Sequence, residues 1–76
     1  MIYDHTLRSL SEDELALIFL IGENAFSSLG MEVNYNFLKF LRRDVVLFEL
    51  EKIKRQIADA HKDMVTHLQK KIAENI

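Results

Sequence analysis

Apolar and polar residues recur with helical spacing through most of this chain, and in one place the polar positions vanish. Leu15–Gly22 reads LALIFLIG, seven consecutive apolar residues and a glycine. A surface helix in a small domain carries one apolar stripe and a polar remainder. On a helical wheel Leu15, Ile18, Gly22, Ala25, Phe26 and Leu29 form one broad apolar face. Ala16, Leu17 and Leu20, bordered by Phe19 and Ile21, form a second face on the far side. A helix of this kind needs cover on both sides.

The limits of that helix are marked locally. Ser11-Glu12-Asp13-Glu14 fits the S-x-x-E capping box, in which a hydroxyl and a carboxylate satisfy each other's backbone amides. Leu10 and Leu15 fall at the two positions of a hydrophobic staple, and three acids sit at the positive end of the helix dipole. Gly30 suits the left-handed residue that ends a helix, with Met31 placed to touch Phe26. Residues 11–29 are therefore expected to form helix A, about 27 Å long. Residues 1–10 lack helical periodicity and read as an arm, either laid over apolar surface or frayed. Residues 30–35 read as a turn, with Asn34 or Asn36 as the next cap.

Over residues 36–75 the apolar face changes direction. Phe37, Leu38, Leu41, Val45 and Phe48 fall on one side, and Val46, Leu50, Ile53, Ile57, Ala60, Met64 and Leu68 fall nearly opposite. A break near residues 43–45, with Asp44 as N-cap, yields a short helix B and a long helix C. A continuous helix that buries different faces in its two halves satisfies the same pattern. Positions 46, 50, 53, 57, 60 and 64 step by four and three, the seam of a coiled coil, and 64, 68, 72 and 76 step by four. Glu51–Arg55 and Asp59–Asp63 supply one attractive and one repulsive pair four residues apart.

An intact helix C is about 45 Å long and outreaches helix A by more than about 10 Å. A second copy related by a two-fold axis covers both this overhang and the far face of helix A. The sequence therefore predicts an all-α fold: a helical hairpin or three-helix arrangement with a long C-terminal helix, completed as a dimeric helical bundle. The expected self-association residues are Leu17, Leu20, Ile53, Ile57, Met64 and Leu68.

Composition narrows the class. The 76 residues make one domain, without cysteine or proline and with two glycines, which removes disulfides, Cys-based zinc sites and the turn residues an all-β fold needs. The formal charge of −2 does not favour a polyanion partner. The N-terminus has no basic flank or cleavage pattern, and the apolar run falls far short of the roughly 20 residues of a membrane span. A cytoplasmic protein without membrane attachment is the expectation.

Candidate chemistry is sparse. His67 follows Asp63 by four residues, but His5 and His61 do not converge on that pair in sequence. Ser27-Ser28 lack a neighbouring base, and the acids of Glu12-Asp13-Glu14 are accounted for by the helix start. No phosphate-binding loop, dinucleotide fingerprint or zincin motif is present. An enzyme, a cofactor and a small-molecule substrate are not expected. Lys39, Arg42 and Arg43, with Tyr35 one turn earlier, would share one side of helix B and form a patch able to contact phosphate. A helix-turn-helix over residues 22–43 is one residue too long and would present Phe37, Leu38, Phe40 and Leu41 to a groove. The expected function is a homodimeric protein–protein interaction module that acts as an adaptor, or that regulates or inhibits another macromolecule by docking on it. The alternatives are a dimeric nucleic-acid-binding regulator using the Tyr35/Lys39/Arg42/Arg43 patch and a subunit of a larger complex.

Overall fold

The computed structural model describes residues 1–74. They form five α-helices: α1 (Asp4–Arg8), α2 (Glu12–Phe26), α3 (Tyr35–Leu38), α4 (Arg43–Gln56) and α5 (Asp59–Glu74). A 3-10 turn over Ser27–Leu29 continues α2, and there is no strand among the described residues. The expected helix end at residue 75 and the seam position Ile76 lie outside the described residues.

Helix α2 starts as its capping box requires. The Glu14 amide donates to Ser11 Oγ at 3.3 Å, and the Ser11 amide donates to Glu14 Oε1 at 3.1 Å. The helix tightens over its last residues and stops at Gly30, which takes the left-handed conformation at φ 66°. Asn34 caps α3, its Oδ1 accepting from the Asn36 and Phe37 amides at 2.9 and 3.2 Å.

The N-terminal arm is tied to the domain and includes the one-turn helix α1. Ile2 and Leu7 are buried in the core. The Ile2 amide donates to the Leu41 carbonyl at 3.1 Å, and the Tyr35 hydroxyl donates to the Asp4 carbonyl at 3.2 Å. These long-range bonds hold a segment too short for its own periodicity to announce a helix.

Two expectations about the C-terminal half need correction. The break ahead of α4 exists, but it occupies residues 39–42, and Arg42 is the N-cap in place of Asp44. Asp44 lies in the first turn of α4, where a carboxylate suits the helix dipole. It accepts from Arg42 Nε and Nη2 at 3.2 and 3.0 Å. The second correction is larger: the single long helix is a hairpin. Ile57 is extended, with φ −99° and ψ 163°, and α5 starts afresh at Asp59.

The hairpin changes what the coiled-coil seam means. Val46 and Leu50 from α4, and Val65, Leu68 and Ile72 from α5, are all buried in one cluster. These two helices make the most extensive helix–helix contact among the described residues. The seam positions Val46, Leu50, Leu68 and Ile72 are thus covered within the chain, Ala60 and Met64 are not fully covered, and the overhang that called for a second chain does not exist. The principal extents are 33 × 25 × 21 Å.

Ile18 and Ile21 of α2 complete the core with Leu38 and Leu41. Gly22 lets α3 approach: a Cβ built there would lie 2.9 Å from Leu38 Cδ2 and 3.2 Å from Val33 Cγ1. Glu14, though nearly buried, is held by Lys71 Nζ at 3.0 Å, and Lys71 also donates to the Ser9 carbonyl at 3.3 Å. This clamp joins the C-terminal part of α5 to the start of α2. Burial is the largest influence on the Glu14 carboxyl and raises its pKa. The hydrogen bonds from Lys71 and Ser11, with the Lys71 charge, outweigh burial and hold it below the usual carboxylate range.

Candidate functional site

The core satisfies one side of α2 and leaves the other partly open. Ile18, Ile21 and Gly22 are buried and Leu15, Leu17, Phe19 and Phe26 are half-buried, while Ala16 and Leu20 are exposed. Leu20 keeps 49 % of its surface in contact with solvent. The α3–α4 segment covers the Gly22 side, and the C-terminal part of α5 is fixed to the start of α2 by the Lys71–Glu14 contact. Toward the start of α5 the two helices border an open groove of about 420 Å³. Its lining is Asp13, Ala16, Leu17 and Leu20 from α2 with His61 and Met64 from α5.

Three of the six residues expected to mediate self-association therefore meet at one place: Leu17, Leu20 and Met64. Ile53 and Ile57 are half-buried against the protein's own core. Leu68 is 0 % exposed, and its place on a self-association surface is corrected. The fold-back of α5 turns the Leu68 side of that helix inward, into the cluster with Val46 and Leu50.

The four residues of the expected basic patch do not share a helix face. Tyr35 is half-buried in α3 and its hydroxyl is engaged by Asp4. Lys39 follows the end of α3, Arg42 precedes α4, and Arg43 is the first residue of α4. The spacing of three and four has helical meaning only within one helix, and the break removes it.

Beside that break lies an apolar ledge that the sequence reading did not single out. Phe40 and Phe48 are 55 % and 64 % exposed. Phe40, Leu41, Arg42 and Val45 line an open groove of about 370 Å³ with Ala25 and Phe26, and Phe48 follows Val45 by one turn of α4. The signal was available: Val45 and Phe48 lie roughly opposite Val46 and Leu50, so burying one pair presents the other to solvent. Lys39 Nζ lies 5.9 Å from the Phe40 ring centroid, and Lys52 Nζ 5.8 Å from that of Phe48.

The two apolar surfaces differ in charge. Helix α2 carries four acids and no base, and Glu12, Asp13 and Glu23 are exposed on it. Residues 39–55 carry six bases against three acids. No group of three or more His, Asp or Glu side chains able to hold a metal ion occurs among the described residues. No helix among them is long and apolar enough to cross a membrane. In comparisons with known proteins no family model, curated protein or solved structure matches this chain.

Proposed function

We propose that this chain is a non-catalytic protein–protein interaction module that self-associates and acts by docking on another macromolecule. The observation that carries the reading is the groove of Leu17, Leu20 and Met64, which stays open after the chain has closed its own core. Fully burying a leucine contributes roughly 1.5–3 kcal/mol. Covering the exposed half of Leu20 is then worth on the order of 1 kcal/mol per contact before its neighbours contribute. A domain of this size has only roughly 4–11 kcal/mol of total stability, so such a surface is costly to leave wet. A protein partner is favoured over nucleic acid because the break between α3 and α4 takes Tyr35, Lys39, Arg42 and Arg43 off a common helix face, and the Tyr35 hydroxyl already donates to the Asp4 carbonyl.

Light scattering across a concentration series tests the proposal, using the wild type and Leu20→Glu. The expected result is a mass above the 8.9 kDa of one chain that rises with concentration, and a Leu20→Glu variant that stays at one chain with unchanged helix content. A wild type at one-chain mass throughout would refute it.

A further inference from the structure

We infer that the copies meet head to tail, the Phe40/Phe48 ledge of one chain entering the Leu17/Leu20/Met64 groove of the next. The inference rests on the self-association proposed above and adds how the two surfaces pair. Charge disfavours an antiparallel pairing of the groove with its own twin. The apolar centre of the outer α2 surface lies between Ala16 and Leu20, with Glu12 and Asp13 at one end and Glu23 at the other. A two-fold antiparallel pairing about that centre would set Asp13 opposite Glu23 of the second copy at both ends. Like charges set against each other at a contact oppose association.

The ledge has the complementary character. Phe40 and Phe48 keep more than half of their surface exposed, and Lys39, Arg42 and Lys52 lie beside them. Arg42 and Lys52 are paired with Asp44 and Glu49 at 3.0 and 3.9 Å, but these are exposed contacts of little individual strength. They exchange readily for the exposed acids of α2 on another copy. The aromatic side chains fill the groove, and the basic rim of the ledge meets its acidic rim. Because the two surfaces differ, the contact is heterologous. It closes into a ring or grows as a filament, and any open assembly keeps one groove and one ledge free for another protein.

Two variants that each block one surface test this by complementation. Leu20→Glu blocks the groove and Phe48→Glu blocks the ledge, and both sites are exposed enough to leave helix content unchanged by circular dichroism. Each variant alone is expected to lose self-association by at least about tenfold in dissociation constant. An equimolar mixture should form a dimer of one chain of each kind that does not grow further, and raising the salt concentration should weaken it. A mixture that stays monomeric overturns the head-to-tail pairing. So does a Phe48→Glu variant that associates as well as the wild type, which leaves self-association itself intact. A wild type that is monomeric at every concentration overturns both readings.

Discussion

Alanine in place of Gly22 should destabilise this protein, against the usual effect of that change inside a helix. Glycine costs a helix interior about 1 kcal/mol relative to alanine, so the substitution would ordinarily stabilise α2 by that amount. At this position the added methyl group would stand 2.9 Å from Leu38 Cδ2 and 3.2 Å from Val33 Cγ1, with Leu41 Cδ1 at 3.6 Å. Leu38 is wholly buried and has little room to turn away. Overpacking of this kind costs about 1–3 kcal/mol, which gives a net loss of about 1 kcal/mol. In a domain of this size that is a fall of about 4–8 °C in Tm, read equally well from urea unfolding. In a Leu38→Val background the closest contact is gone, and Gly22→Ala should become neutral or stabilising. A gain of about 1 kcal/mol in the wild-type background, unchanged in Leu38→Val, would refute the close approach of α3 to α2.

The hairpin turn makes a prediction of opposite signs: Ala58→Ser should stabilise by about 1 kcal/mol if α5 begins at Asp59, because serine there caps a new helix. In a continuous helix the same change would cost a few tenths of a kcal/mol, so urea midpoints decide. The Glu14–Lys71 clamp predicts a pH dependence. The Glu14 carboxyl is held below its unfolded value, so its contribution is fully present above the ordinary carboxylate range and is lost as pH falls through the folded value. Unfolding wild type and Glu14→Gln between about pH 6 and pH 3 should show their stability difference shrinking toward the acid end. A difference independent of pH would contradict the clamp.

Local signals in the chain account for the features that were legible before the structure. The capping box at Ser11–Glu14, the left-handed Gly30 and the Asn34 cap are each decided within a few residues, and all three form. The two-faced character of LALIFLIG survives folding in the buried Ile18 and the exposed Leu20, while Ile21, read as bordering the outer face, is buried instead. The turn at Ile57–Ala58 left no such mark, because neither residue is a glycine, a proline or a side-chain cap. A seam stepping by four and three looks the same whether it meets another chain or folds back on its own second half. That ambiguity misplaced Leu68 and suggested an overhang. Phe40 and Phe48 escaped notice for a related reason. An aromatic residue in an apolar run is taken for core, and only the burial of Val46 and Leu50 shows that the Phe48 side of α4 is left outside.

Self-association through the outer side of α2, at Ala16, Leu17 and Leu20, is reported by the methionine methyl groups without any mutation. The chain has three methionines, and Met64 is the one that lines the groove with Leu17 and Leu20. Methyl NMR of methionine-labelled protein over a dilution series should show the Met64 signal shifting or broadening as concentration rises. A Met64 signal constant in position and width across the series would contradict self-association through this surface.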